Sequence, residues 1–93
     1  MDNEHRARIT WSSEHVRLGL PTFSQTTDPS WLDGAEEGWS LVCVFDRPPR
    51  VQGNPSVARV RFLMEEAPPL TPGTTIQLFE RATSQRATVE ILE

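Results

Sequence analysis

Apolar and polar residues alternate along this chain in short runs, and each run stops at proline, glycine or a charge cluster. The run WSLVCVF, residues 39–45, puts Leu41, Cys43 and Phe45 on one face of a strand and Val42 and Val44 on the other. Apolar residues on both faces predict a strand buried on both sides, or with one side in the core and one under a loop. VARVRFLM, residues 57–64, turns Ala58, Val60, Phe62 and Met64 inward and Arg59, Arg61 and Leu63 outward. TTIQLFE sets Ile76 and Leu78 against Thr75, Gln77 and Phe79, while RATVEIL sets Ala87, Val89 and Ile91 inward against Thr88, Glu90 and Leu92. ARITWS, with Ile9 and Trp11 together, is a weaker strand near the start. LGLPTFS, residues 18–24, offers a further piece that Pro21 would confine to an edge or irregular position. No window sustains a 3.6-residue stripe, so the period is that of strands throughout.

The links are polar or proline-rich. SQTTDPSWLDGAEEG, residues 24–38, is the longest stretch without a strand signal and reads as an acidic loop around Trp31. DRPPRVQGNPS and EEAPPLTPG are connections whose prolines restrict the unfolded chain. The pattern predicts an all-β fold, a small closed or partly open antiparallel β-barrel of about six strands. Closure would also remove exposed strand edges. The expected organisation is a flexible tail over residues 1–6 and one barrel domain over residues 7–93. The last 22 residues form the hairpin that closes it, with Ile76, Leu78, Val89 and Ile91 filling the interior.

Composition narrows the setting. A chain of 93 residues supports one core rather than two. A single cysteine cannot form an internal disulfide, which favours a reducing compartment. The opening MDNEHRARIT has no apolar run of the signal-peptide kind, and nowhere are there the ~20 apolar residues that cross a membrane. A cytoplasmic protein with no membrane partner is therefore expected. The net charge is −4, and every basic side chain is Arg. Residues 1–49 hold four Arg against eight Asp or Glu, while residues 50–93 hold five of each. An acidic domain is repelled by phosphate backbones unless its Arg residues cluster, which disfavours nucleic acid.

Candidate chemistry is sparse. Without Lys there is no phosphate-binding loop of the G-x-x-x-x-G-K-[ST] type, hence no nucleotide. One Cys and two distant His, His5 and His15, make no zinc spacing, and both His read as solvated, in the tail and in a polar turn. Cys43 reads as a small core residue. Asp28, Asp33, Glu36 and Glu37 follow no calcium-loop order, and a solvated loop is the favoured reading. No nucleophile turn such as G-x-S-x-G is present. No catalytic, metal or cofactor site is expected. Arg59 and Arg61 share one strand face, with Arg17, Arg81 and Arg86 as possible neighbours; pairing with nearby carboxylates is the favoured reading for them. Trp31 folds back over the barrel or stands out as a contact anchor, with folding back preferred.

The closing segment PGTTIQLFERATSQRATVEIL resembles the end of the C-terminal β-barrel, the third domain, of elongation factor Tu. Phe79, Glu80, Arg81 and Ala82 stand where that family has Arg-Glu-Gly-Gly. ARVRFLMEEAPPLTPG is similar to the preceding strand and connection, and ITWSSEHVRLGLP resembles the opening strand followed by Glu-Gly-Gly-Arg, with Glu14 and Arg17 in the outer places. The resemblance implies the barrel fold and, by position, contacts to the T-stem of aminoacyl-tRNA from Arg17 and Glu80. Both closing glycines are replaced here by Arg81 and Ala82, and these 93 residues hold no counterpart of the GTPase domain, so the resemblance implies neither nucleotide binding nor GTP hydrolysis. The leading expectation is a non-enzymatic protein-interaction module, with tRNA or RNA binding as the alternative. The candidate contacts are Arg17, Trp31, Glu80 and Arg81.

Overall fold

The computed structural model describes residues 4–81 and 84–93, Arg81 as backbone only. Its strands are β1 His5–Trp11, β2 Gln25–Leu32, β3 Gly38–Val44, β4 Ser56–Phe62, β5 Thr75–Arg81 and β6 Ser84–Ile91. Two short helices interrupt them, α1 Ser13–Leu18 and α2 Pro49–Gln52. The strands close into one antiparallel barrel in the order β1-β4-β3-β2-β5-β6, with β6 pairing back onto β1. No described helix is long and apolar enough to cross a membrane.

The alternation dictates the core. Ala7, Ile9 and Trp11 of β1, Leu41 and Cys43 of β3, and Ala58 and Val60 of β4 are buried together inside. Ile76 and Leu78 of β5 join Ala87, Val89 and Ile91 of β6 there, as the closing-hairpin reading anticipates. The register explains the match: Ile9 faces Val89, Cys43 faces Val60 and Ile76 faces Val89, so inward residues meet inward residues around the ring. Val42, on the opposite face of β3, is also buried, as its doubly apolar strand implied.

The ring order has a consequence for the two mouths. β1 and β2 lie on opposite sides of the ring, and so do β4 and β5. The chain must therefore cross one mouth between β1 and β2 and the other between β4 and β5. Each crossing leaves apolar residues behind as a plug. Leu20 and Phe23 pack on the core from the first, and Phe23 and Trp11 both stack near Phe45, at 6.1 and 6.2 Å between ring centres. Leu70 plugs the other mouth.

Several expectations require correction. Residues 24–38 are not one loop, because β2 occupies Gln25–Leu32. Its inward positions carry Asp28 and Ser30, so the alternation that marks a strand is hidden by polar residues. Ser30 is satisfied inside by donating from Oγ to the Trp39 carbonyl at 2.6 Å. Pro29 is tolerated because β2 ladders onto β5 only from Ser30 to Leu32, leaving its earlier half paired with β3 alone. Residues 18–24 form no strand; they end α1 and cross the mouth. His5 and Arg6, expected in a tail, belong to β1. Met64, expected inward, lies past the end of β4 and is 49% exposed.

Candidate functional site

The mouth crossed between β1 and β2 is covered by α1 and α2, and the sequence shows why each forms. Ser12 has an extended backbone, and its Oγ accepts the His15 backbone N–H at 3.3 Å, an N-cap. Glu14 sits in the first turn and Arg17 in the last, the signs that suit each helix end. Gly19 then turns the chain at φ 105°, where a side chain would be strained and its Cβ would come within 2.7 Å of Arg50 Nη2. The Arg50 side chain uses that space: its Nε donates to the Leu20 carbonyl at 2.9 Å, and its backbone N–H donates to the Pro21 carbonyl at 2.9 Å. These bonds tie the end of α1 to the start of α2.

Below α1 lies a chain of polar contacts. The Ser12 hydroxyl and His15 Nδ1 share a hydrogen bond of 2.8 Å. His15 Nε2 lies 4.0 Å from Glu80 Oε1, and the same carboxylate oxygen accepts from Arg86 Nη2 at 3.3 Å. The Arg86 guanidinium is also 4.0 Å from Asp28 Oδ1 and 5.9 Å from the centre of the Phe23 ring. Thr26 Oγ1 donates to Asp28 Oδ2 at 2.9 Å. Arg86 reaches this place through a bulge, since Leu78 pairs with Ala87 and Phe79 with Gln85, leaving Arg86 as the extra residue. Its Nε is buried without a hydrogen-bond partner among the described residues.

Burial, reinforced by the Asp28 charge and partly offset by Arg86, pushes the Cys43 thiol up to about 12. That thiol stays protonated at neutral pH and is no nucleophile. Ser12, His15 and Glu80 are the residue types of an acyl-transfer site, yet their contacts are those of a clasp. The hydroxyl caps its helix, and Glu80 lies nearer to Arg86 than to His15. The network holds α1 against β5 and β6.

The sequence candidates are distributed as follows. Arg17 is exposed on α1, two residues from His15, so the His15–Glu80 contact brings Arg17 and Glu80 to one end of the barrel. Arg81 closes β5 opposite Ser84, and its side chain lies outside the described residues. Trp31 is a strand residue rather than a loop anchor, opposite Gly38 and Gln77. Its ring lies over Gly38, where a Cβ would come within 2.5 Å of Cε2, and meets Phe79 edge-on at 5.2 Å. It folds back on the outer wall, half-buried. Arg59 pairs with Glu4 and Asp46 at 3.3 Å each, as carboxylate pairing implies.

His15 is not a solvated turn residue, because its helix sets the ring down on Glu80. Asp28 is not in a wet loop either; it is a buried member of the clasp. The signal for it was present in the spacing of Thr26, Asp28 and Ser30, a period of two written in polar residues. No family model matches the chain, and no curated protein or solved structure is significantly similar to it.

Proposed function

We propose that this barrel is a non-enzymatic binding module that takes a protein partner on its helical end. The observation that carries this reading is that α1 buries none of its residues. Val16 and Leu18 are exposed on it, Leu18 by 69%, and Val51 on the tethered α2 is 56% exposed. A helix of six residues does not stand alone in water. This one is held by its Ser12 cap and the His15–Glu80 contact, so its apolar side chains add nothing to the core and remain available. Arg17 among them adds a side chain favoured at binding hot spots. The lone buried cysteine is in keeping with a cytoplasmic setting.

The test is capture from a lysate of the native organism, with and without ribonuclease, using the wild type, Leu18→Asp and Arg17→Glu. The reading expects a protein partner that survives ribonuclease and is lost with Leu18→Asp while the barrel stays folded. Capture indifferent to both substitutions would overturn it.

A second reading, RNA binding of the kind the elongation factor Tu resemblance implies, draws support from one contact. His15–Glu80 brings the helix bearing Arg17 onto β5, the strand that ends in Arg81. It expects tRNA retention at low salt that falls steeply as salt rises. Absent or salt-insensitive retention would end it.

A further inference from the structure

The opposite mouth is built differently. Here the crossing over residues 63–74 and the turn over residues 33–37 leave two adjoining grooves that share Pro68, of about 750 and 520 Å³. Volumes of this order hold ligands the size of a few side chains. The larger is lined by Phe62, Leu63, Met64, Pro69 and Leu70, the smaller by Leu32 and Trp39. Leu63 and Met64 are 51% and 49% exposed, although Phe62 and Leu70 beside them pack on the core. The floor is therefore fixed and the rim apolar and adaptable, Met64 most of all.

Charge surrounds these grooves on one side of the ledger. Glu36 and Glu37 line the smaller groove with Glu66, and Glu65 lines the larger. None of the four is in an ion pair with a described residue. Arg61 is the one Arg among the described lining residues, and the larger groove also holds His5 and Glu4, the latter paired with Arg59. The carboxylates are also spread out: among the described residues no group of three acidic, His or Cys side chains could hold a metal ion. A single small cation does not satisfy such a rim, whereas several side-chain cations spaced along a backbone do. Pro68 and Pro69 stiffen the wall between the grooves, which lowers the entropy lost when a segment settles there.

We infer that this acidic end is a docking groove for a basic peptide segment of a partner protein, with large apolar side chains entering over Leu63 and Met64 and flanking Arg or Lys side chains meeting Glu36, Glu37, Glu65 and Glu66. The inference goes beyond the helical-end reading and does not depend on it. The two surfaces lie at opposite mouths.

The probe is a labelled peptide with a central Leu pair flanked by Arg, compared with an Ala-centred and a Glu-flanked counterpart. Binding is read by fluorescence anisotropy, and the contact by amide chemical shifts. The Arg-flanked Leu peptide should bind and move the amides of residues 62–67, and the Glu-flanked peptide should not bind. Affinity should fall about tenfold or more in Glu65→Lys/Glu66→Lys and in Leu63→Ser/Met64→Ser. Leu18→Asp should leave it unchanged, which separates this groove from the helical end. Three results would each overturn the inference: equal binding of the Ala-centred peptide, which is charge attraction without a groove; shifts that map to the helical end; or no binding. Concentration-dependent sedimentation of the protein alone, abolished by Glu65→Lys/Glu66→Lys, would give the groove to a second copy and overturn it too.

Discussion

The two mouths of this barrel solve one topological problem in two ways. At each, the chain must cross between strands on opposite sides of the ring, and at each it drops apolar residues into the opening. At the helical end the crossing is fastened from below by charge, with Arg86 between Glu80 and Asp28 and His15 resting on Glu80. At the acidic end the crossing is held by prolines and Leu70, and Glu36, Glu37, Glu65 and Glu66 are in no ion pair with a described residue. The difference teaches that a plug can be tied into the fold or laid over it. Charge inside the mouth makes the crossing part of the stability, while charge around the rim leaves it facing solvent.

The sharpest way to break this comparison is to remove Arg86. Its side chain is 13% exposed, and Arg86→Ala leaves the Asp28 carboxylate, 11% exposed, without a cation. Stripping one partner from such a pair costs about 3 kcal/mol, read as a drop in unfolding free energy by urea titration. Glu65→Lys/Glu66→Lys at the other mouth should stay within about 0.5 kcal/mol of wild type. Equal losses at the two ends would mean that the acidic crossing is also tied into the fold.

The second test sharpens the comparison through the interior under the clasp. Cys43 is raised from 9.0 to about 12 in the folded barrel. Its burial as a neutral thiol therefore stabilises the fold fully below pH 9, and this contribution is lost as pH rises from 9 toward 12. The sequence has no Lys and no Tyr, so no other side chain competes in that window. The melting temperature should fall steadily between these pH values in the wild type, and Cys43→Ala should flatten the slope. An unchanged slope would place the alkaline sensitivity elsewhere.

The smallest effect concerns the outer wall toward the acidic end. Gly38→Ala would drive a Cβ into the Trp31 ring and should cost about 1 kcal/mol. The double variant Trp31→Ala/Gly38→Ala should show less than additive loss in a mutant cycle. Additivity would mean that the ring does not rest on that glycine.

Much of the barrel was legible from alternation alone. β3 to β6 announce themselves because their inward positions are Leu, Val, Ile, Ala and Cys, whereas the ring order rests on pairings that alternation does not encode. β2 stayed hidden because Asp28 and Ser30 occupy its inward face, and a period of two in polar residues looks like a loop. The clasp could not be read for a deeper reason. Asp28, Glu80 and Arg86 meet only once the barrel closes, and a bulge overrides the alternation that would have turned Arg86 outward beside Thr88. Trp31 was singled out for its chemistry but placed in the wrong kind of element. Its role is to cover a glycine. Arg17 and Glu80 share an end because His15, two residues before Arg17, meets the Glu80 carboxylate.

The seam between β1 and β6 sets the order of closure. Ile9 pairs with Val89 and Ala7 with Ile91, so the ladder of β1 is complete only when β6, the strand farthest from it in the sequence, has arrived. Until then β1 leaves one edge uncovered and β5 another, both with apolar inner faces. The sheet is thus open to edge-to-edge association until β6 is in place, and loses both edges in that one event.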